Sequence, residues 1–144
     1  MQDLKLEVVV VPVSDVDRAK HFYEGLAWRT DADLTSGDGQ RVVQLTPPGS
    51  ECSIHLRQGK NDGRAALGPG TWLIVSDIEA AHAELVGRGI EVTDIWHGPP
   101  FPVEARQPGP DPERASYGSF CAFSDPDGNT WIVQEVTTRL PGRV

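Results

Sequence analysis

The sequence predicts an α+β fold built from two repeats, each with the order strand, helix, strand, strand, strand. Three observations predict it: an amphipathic helix pattern occurs twice, three strand-like segments follow each helix, and turn-forming residues separate the strands. The chain of 144 residues is long enough for one domain with a two-layer core, and its hydrophobic content of 38% is typical of a globular protein. We therefore expect a single domain over residues 1–144.

The first repeat, about residues 4–58, opens with an apolar strand and a capped helix. Residues 8–11 are all valine, which predicts a strand buried on both faces, and Pro12 ends it because proline donates no hydrogen bond to a ladder. Ser14 is the predicted N-cap, and Asp17 three residues later completes a capping box. The apolar stripe of the helix follows at helical spacing: Val16, Ala19, Phe22, Tyr23 and Leu26.

The second repeat, about residues 70–137, carries the same helix pattern 62 positions later. Ser76 is its predicted cap and Glu79 its box partner. The alignment that places Ser14 on Ser76 also places Gly25 on Gly87 without a gap, and each helix is expected to end at its glycine.

Three strand-like segments follow each predicted helix. They are residues 27–34, 40–47 and 52–58 in the first repeat, and residues 90–96, 118–124 and 130–136 in the second. The sequence DPDGN between the last two is a strong signal for a tight turn. Residues 59–70 are the expected linker between the repeats.

One insertion departs from the repeat. Residues 97–118 hold six of the twelve prolines, which excludes a central strand or an interior helix. This length, together with Phe101 and Tyr117, exceeds what a turn needs. The insertion is either a lid over a cavity, or a disordered surface loop or an arm that grips a second subunit.

Charge and cysteine content exclude several classes of function. A net charge of −8 without a basic stripe argues against nucleic acid or an anionic membrane as a partner. Cys52 and Cys121 are too few for a disulfide framework or a thiolate metal site, and their strand-like surroundings predict buried free thiols. No N-terminal segment has the pattern of a signal peptide and no apolar run is long enough to span a membrane, so we expect a cytoplasmic protein.

The motifs at the two ends of the chain give it a resemblance to a known family. PVSDVDRAKHFYEGL opens the first half and SDPDGNTWIVQE closes the second, and together with the repeats they resemble the vicinal oxygen chelate superfamily over about residues 5–137. That superfamily contains glyoxalases, bleomycin-binding proteins and extradiol dioxygenases. The resemblance implies an open, curved eight-stranded sheet around a cavity, helices on the outside, and commonly a homodimer. It leaves the activity open, because the fold hosts both enzymes and pure binders.

The resemblance also implies four inward positions that hold a divalent metal in the enzymes of the family. In this sequence they are Val8, His55, Gly70 and Ile132. Only His55 has a donor side chain, whereas a catalytic metal needs about three protein ligands. Strand alternation places Gln134 on the face of Ile132 and Glu135 on the opposite face, unless a bulge shifts the strand. We therefore expect no metal and no other cofactor.

Three side chains on the expected inward face are candidates for function. A neutral His55 is a candidate general base or hydrogen-bond partner, and the alternative is a core histidine bonded to Gln44, Gln134 or a backbone carbonyl. Trp72, beside the space that Gly70 leaves, suits stacking on a flat ligand, and the alternative is that it fills this volume. Gln134 is a candidate to orient a ligand carbonyl or hydroxyl, or else it pairs with a neighbouring polar group.

Trp96 and His97 precede the insertion, where they are expected either to close over a ligand at a cavity rim or to lie exposed there. His55 is the only candidate catalytic residue. The predicted ligand-binding set is Val8, Val10, Gln44, His55, Gly70, Trp72, Trp96, Ile132 and Gln134.

Three functions follow from these observations. The leading hypothesis is a metal-free protein that binds a small, mainly apolar or aromatic molecule, for example to sequester it. The second is a lyase, isomerase or dioxygenase-type enzyme on the same scaffold, either metal-free with His55 as general base or metal-dependent through shifted ligands. The third is a structural or regulatory dimer whose cavity is filled by its own side chains.

Overall fold

A computed structural model of the chain describes residues 1–59 and 70–143. The predicted linker lies almost entirely outside these described residues. The fold consists of two compact units: Met1–Gly68 with Asp125–Asn129, and Pro69–Ser124 with Thr130–Val144. In the described residues each unit has one α-helix and one mixed sheet, which confirms the α+β class; the first unit has the predicted βαβββ order, and the second has one strand more.

The first unit contains a four-stranded sheet in the order β1-β4-β3-β2. Its elements are β1 (Val8–Val13), α1 (Val16–Gly25), β2 (Arg29–Thr35), β3 (Arg41–Thr46) and β4 (Ser53–Gln58). β1 runs parallel to β4, and the other neighbours are antiparallel. Helix α1 packs against β3 and β4. Alternate side chains of the sheet, including Val11, Val43 and Leu56, are therefore fully buried.

Two predictions about β1 are wrong. Pro12 does not end the strand, which continues to Val13. A proline is tolerated here because β1 lies at the edge of the sheet, where half of its backbone groups have no ladder partner. The strand is also not buried on both faces, since Val10 is 44% exposed while Val11 is fully buried.

Both helix caps lie one residue later than predicted. Asp15 caps α1 by accepting from the backbone N–H of Arg18 at 3.0 Å, and Asp77 caps the second helix by accepting from Glu79 and Ala80. Ser14 lies one residue before the cap, where its hydroxyl donates to Asp127 Oδ1 at 2.5 Å and accepts from Arg18 Nη2 at 3.0 Å. Aspartate and serine are both strong caps, so the local sequence alone does not decide between neighbours.

The DPDGN turn, Asp125–Asn129, belongs to the first unit although it connects two strands of the second. Its Asp125 Oδ2 accepts from the hydroxyl of the fully buried Tyr23 at 2.8 Å. Asn129 Nδ2 donates to the Pro12 carbonyl at 3.0 Å, and Asp127 Oδ1 accepts from the Ser14 backbone N–H at 3.0 Å. The two sequence motifs that carry the family resemblance therefore contact each other directly.

The second unit contains a five-stranded sheet in the order β5-β9-β8-β6-β7. Its elements are β5 (Thr71–Val75), α2 (Ile78–Gly87), β6 (Trp96–His97), a 3-10 turn (Val103–Ala105), β7 (Gln107–Pro108), β8 (Ser119–Ser124) and β9 (Thr130–Glu135). β5 runs parallel to β9, and α2 contacts β8 and β9. The described residues thus form nine strands rather than the eight predicted, because the insertion adds β7.

The strand predicted over residues 90–96 is reduced to the two residues of β6. Upstream of it, the only ladder contact among the described residues is an isolated bridge between Val92 and Phe123. The hydroxyl of Thr93 explains the interruption. It accepts from the backbone N–H of Ala122 at 3.0 Å, so a side chain takes the place of a backbone carbonyl in the ladder.

An ion pair between the buried Glu135 and the partly exposed Arg114 holds the first turn of α2. Glu135 is 1% exposed and accepts from the backbone N–H of Ile78 at 2.9 Å and from Arg114 at 2.5 Å. Arg114 also lies 3.5 Å from the Asp77 carboxylate and 3.6 Å from that of Glu79. The hydrogen bond from Arg114 lowers the pKa of Glu135, and the bond from the Ile78 backbone lowers it further.

The insertion is folded against the second sheet rather than disordered. The backbone N–H of Tyr117 donates to the Glu135 carbonyl at 2.8 Å, and the Tyr117 carbonyl accepts from Gln134 Nε2 at 2.9 Å. At its other end, β7 pairs with β6. The insertion contacts both faces of the sheet, because Arg114 reaches the helix side and Arg106 lies over Trp96 on the other side.

The two thiols differ in burial. Cys121 is fully buried, and burial raises its pKa to about 12. Cys52 is partly exposed, and burial of its sulfur raises its pKa as well. Neither forms a disulfide. Within the described ranges, no helix has the length and apolar character needed to cross a membrane.

Candidate functional site

Each sheet has one face turned away from its helix, and the predicted ligand-binding residues lie on these two helix-free faces. In the first unit, the ladder places Val10 beside His55 and His55 beside Gln44. Val8 and Arg57 lie two residues along their strands and therefore share this face. We call these five side chains the first helix-free face.

A polar pair occupies the centre of the first helix-free face. His55 Nε2 and Gln44 Oε1 are 2.9 Å apart, and both side chains are partly buried. This contact is the alternative that the sequence left open for His55, a histidine bonded to Gln44. If Nε2 carries the proton and donates to Gln44, Nδ1 keeps its lone pair and can accept a proton or a hydrogen bond.

The second helix-free face is mainly aromatic. The ladder places Trp72 beside Ile132 and Ile74 beside Gln134, with Phe120 and Trp96 on the next two strands. The rings of Trp96 and Phe120 are stacked at 5.5 Å, and the Trp72 ring meets Phe120 edge-on at 6.1 Å. Offset and edge-on contacts of this kind are the favourable geometries for aromatic pairs.

Two residues of the insertion complete this aromatic surface. The guanidinium carbon of Arg106 lies 3.8 Å above the Trp96 ring centre and 5.7 Å from the ring centre of Phe101. Arg106 Nε donates to the Pro100 carbonyl at 2.9 Å, which fixes the plane of the guanidinium. The result is a row of contacts that runs from Arg106 through Trp96 and Phe120 to Trp72.

The second helix-free face is closed at its centre and open at one edge. Trp96 and Phe120 are each 4% exposed and Ile132 is 1% exposed, so the central strands are already covered. Trp72 and Ile74 on the edge strand are 42% and 45% exposed. Large apolar side chains next to a buried aromatic cluster form the kind of exposed patch that binds partners.

The residues at the four family metal positions do not fit a metal. Val8 and His55 lie on neighbouring strands of the first sheet, and only the imidazole can coordinate. In the second unit, Gly70 precedes β5 and Ile132 lies on β9. No described residues form a group of three or more His, Cys, Asp or Glu that could hold a metal ion. Glu135, the nearest carboxylate in sequence, points to the helix side and is bonded to Arg114.

The register of β9 agrees with the predicted phase. The β9 ladders with β5 and β8 show no register shift, so Ile132 and Gln134 share the helix-free face and Glu135 lies opposite. Gln134 Nε2 donates one of its two hydrogens to the Tyr117 carbonyl at 2.9 Å, which is the pairing with a neighbouring polar group that the sequence left open. His97 is likewise bonded, through Nδ1, to the Gly109 carbonyl at 2.9 Å.

Sequence reasoning missed Phe120, Phe101 and Arg106 as parts of the site. Phe120 alternates with Ala122 in a predicted strand, so its face follows once the register with Trp96 is known. Arg106 lies in a proline-rich segment without periodicity, and no sequence signal places it on Trp96.

A shallow depression of about 200 Å³ lies apart from these residues, in the first unit. Its lining is polar and consists of Asp38, Gly39, Gln40, Arg41 and Gln58. None of these residues belongs to either helix-free face, and the mainly polar lining does not suit a ligand of the predicted type.

Comparison with known proteins bears on the same fold. Residues 5–133 match the family described as Glyoxalase/Bleomycin resistance protein/Dioxygenase superfamily. The chain belongs to this superfamily. The resemblance inferred from the two end motifs is therefore confirmed.

Similar solved structures include two proteins from Streptomyces sp. CB03234. TnmS3, an antibiotic binding protein, is 30% identical, with a TM-score of 0.70 over 94% of this chain and 98% of that chain. A glyoxalase/bleomycin resistance protein is also 30% identical, with a TM-score of 0.66 over 91% of this chain and 100% of that chain. A superfamily member from Sphaerobacter thermophilus DSM 20745 is 28% identical, with a TM-score of 0.67 over 92% of this chain and 98% of that chain. Comparison with curated proteins gives no match.

Proposed function

We propose that this superfamily member binds a small, mainly apolar or aromatic molecule at the open edge of the second helix-free face, without a metal. The observation that carries the proposal is the exposure of Trp72 and Ile74 beside a packed aromatic cluster. Leaving such side chains in water is unfavourable by roughly 25 cal/mol per Å² of apolar surface, and a bound ligand recovers this free energy.

A relative supports a small-molecule ligand. TnmS3 is an antibiotic binding protein, and it shares 30% identity over nearly the whole of both chains. Binding and sequestration of an antibiotic-like compound is therefore the role that we propose here. The homodimer and the cytoplasmic location expected from the sequence belong to the same proposal.

The absence of a metal is part of this proposal and rests on the donor set. Three of the four family metal positions carry valine, glycine or isoleucine, and none of these side chains can coordinate an ion. Elemental analysis of the purified protein tests this directly. One divalent ion per chain, retained after dialysis, would contradict a metal-free site.

Ligand binding is testable because the chain offers a matched pair of exposed apolar residues. Trp72 is exposed on the helix-free face, whereas Val86 is 54% exposed on α2. We expect calorimetric titration with a panel of aromatic compounds to give saturable binding in the parent and in Val86→Ala. Trp72→Ala should weaken it about tenfold, since it removes both an aromatic contact and apolar area. Equal affinity in Trp72→Ala would place the ligand elsewhere.

Fluorescence gives an independent readout of the same site. Among the four tryptophans, Trp28, Trp96 and Trp131 are at most 6% exposed, and Trp72 is the one that solvent and ligand can reach. Ligand binding at the proposed site should protect Trp72 from quenching by acrylamide. Binding without such protection would contradict the location.

The second candidate function is an enzyme that uses His55. The observation that favours it is the His55–Gln44 pair, whose geometry leaves one ring nitrogen available on the first helix-free face. His55→Ala should abolish turnover of a bound ligand and keep its binding if this is correct. Turnover that survives in His55→Ala would exclude His55 as the general base.

A further inference from the structure

We infer that residues 98–106 form a lid over Trp96, and that opening of this lid admits an apolar ligand with a hydrogen-bond acceptor to the indole. This inference goes beyond the proposed function. It concerns the closed part of the second helix-free face around Trp96, whereas the proposed function uses the open edge at Trp72.

The lid has few contacts with the rest of the protein. It connects β6 to β7, and within the described part of the chain its hydrogen bonds join only residues of the lid itself. Its tip faces solvent, since Phe101 is 44% exposed and Val103 is 57% exposed. Segments with few buried apolar contacts open locally at a low cost in free energy, while the sheet beneath them stays folded.

One side chain of the lid lies against the sheet. The guanidinium carbon of Arg106 is 3.8 Å above the centre of the Trp96 ring, and among the described residues this is the only cation–π or ring–ring contact between lid and sheet. Arg106 therefore occupies a ring face on which an apolar ligand can pack. Trp96 is 4% exposed and stacks with Phe120 at 5.5 Å, so an open lid uncovers an indole that the sheet already holds in place.

The same indole carries a buried donor without a partner. Trp96 Nε1 has no hydrogen-bond partner among the residues that the structure describes. Buried polar groups without partners are uncommon, and a tryptophan N–H normally finds one when it is buried. Because Nε1 can only donate, the group that satisfies it is an acceptor such as a carbonyl oxygen. A ligand with an apolar body and an acceptor therefore fits both the ring and its donor.

Gly98 is placed to act as the hinge at one end of the lid. Its φ of 88° lies in the left-handed region, which glycine adopts without strain. In the closed lid a Cβ at this position would lie 3.3 Å from the Ala105 carbonyl oxygen. Alanine at position 98 therefore disfavours the closed lid, and this gives a means to open it.

The first experiment tests the lid without any ligand. Exchange of the Trp96 Nε1 proton with solvent, followed by NMR, measures how often the indole is uncovered. We expect Gly98→Ala to raise this rate about fivefold, because alanine is strained in the left-handed backbone of the closed lid and can leave that conformation when the lid opens.

The control variant is Gly89→Ala, which places alanine at a φ of 79° elsewhere in the same unit. The backbone penalty is similar, but Gly89 lies outside the lid, so the Trp96 proton should exchange at close to the parent rate. Equal acceleration in both variants would show that the proton exchanges through unfolding of the whole unit, and would overturn the lid. An unchanged rate in Gly98→Ala would overturn it as well.

The second experiment tests the ligand with two probes of the same carbon skeleton, 4-phenyl-2-butanone and butylbenzene, of which only the ketone has an acceptor. Trp96→Phe keeps an aromatic ring and removes the donor. In NMR titrations it should bind the ketone about fivefold more weakly than the parent does, and butylbenzene equally well. Gly98→Ala should bind the ketone about fivefold more tightly than the parent, because a larger open fraction lowers the apparent dissociation constant.

The remaining outcomes separate this inference from the proposed function. Binding of the ketone that is lost in Trp72→Ala and unaffected by Trp96→Phe would place the probe at the open edge. That result would overturn the inference and leave the proposed function intact. Faster proton exchange in Gly98→Ala without any binding of the ketone would show a lid that covers no site, and would also overturn the inference. A failure of aromatic compounds to bind at Trp72 bears on the proposed function alone.

Discussion

Rows of side chains aligned across the strands, called rungs below, differ in polarity between equivalent positions of the two sheets. The first sheet aligns Val10, His55 and Gln44 on its helix-free face, and the second aligns Trp72, Ile132 and Ala122 at the same positions of the same strand order. The first rung is polar and partly open, whereas the second is apolar and closed around Ile132. The repeat therefore preserves the backbone frame and leaves the side chains of each face free to diverge.

The sides of the two sheets that face the helices also differ, and there it is the second sheet that carries the charged residue. Gln58, beside Val13, is exposed, whereas its counterpart Glu135, beside Val75, is buried and charged. The start of α1 is held from outside its own repeat by Asp127, and the start of α2 is held by Glu135 with Arg114. Each half thus anchors its helix with a buried carboxylate that pairs with a partly exposed arginine, at 3.3 Å for Arg18 and Asp127 and at 2.5 Å for Arg114 and Glu135.

The largest expected effect comes from breaking the ion pair of Glu135. Arg114→Met leaves the charge of Glu135 buried with one backbone donor, and we expect it to lower the free energy of unfolding by about 2 kcal/mol, which is less than for a fully buried pair because Arg114 is 37% exposed. Arg18→Met is the matched change at α1, where Arg18 is half exposed and lies 3.3 Å from Asp127. It should cost less than about 1 kcal/mol, because the buried Asp127 keeps its hydrogen bonds from the backbone N–H and the hydroxyl of Ser14. Urea unfolding measures both, and equal losses would show that the two helix starts are held alike.

Lowering the pH should also reveal the contribution of Glu135, with a smaller effect on the free energy of unfolding. Because the pKa of Glu135 is lowered in the folded state, its contribution is fully present above the ordinary value of 4.5 and is lost as pH falls through the folded-state pKa. Glu135→Gln should therefore be less stable than the parent at pH 7, and the gap should close towards pH 3. A gap that is independent of pH would exclude ionisation as the cause.

The smallest effect concerns the residue that follows each helix in a left-handed conformation. Ala27 has φ of 63°, and Gly89, 62 positions later, has φ of 79°. Left-handed backbone is strained for alanine and not for glycine, so Ala27→Gly should stabilise the protein by about 0.5 kcal/mol and Gly89→Ala should destabilise it by about 1 kcal/mol. A Cβ at Gly89 would meet no atom within 4 Å, so no clash confuses the result. Opposite shifts of the thermal midpoint are the expected outcome.

Much of the fold was predictable because it follows from periodicity. Alternation by two places Ile132 and Gln134 on one face of β9 and Glu135 on the other, and no long-range information is needed. Caps and strand ends were less predictable, since distant groups decide them. The Ser14 hydroxyl donates to Asp127, which is distant in sequence. The Thr93 hydroxyl accepts from the backbone of Ala122 and so interrupts the ladder between their strands.

The candidate site divides in the same way. Trp72 and His55 were predictable from their strands, and their faces are those the alternation gives. Arg106 was not, because its position depends on how a proline-rich segment returns to Trp96. The burial of Trp96 also depends on the path of the insertion. The sequence predicted Trp96 at a cavity rim, whereas the structure places it in a closed centre to which the insertion contributes.

The placement of the Asp125–Asn129 turn has a consequence for biogenesis. Tyr23 and Pro12 are synthesised more than a hundred residues before the carboxylate and amide that satisfy their polar groups. While the ribosome is still making the second half, the early half holds a phenol and a carbonyl whose final partners do not yet exist. The first half therefore cannot complete these two hydrogen bonds until Asp125 and Asn129 have been made, which ties the maturation of one half to the arrival of the other.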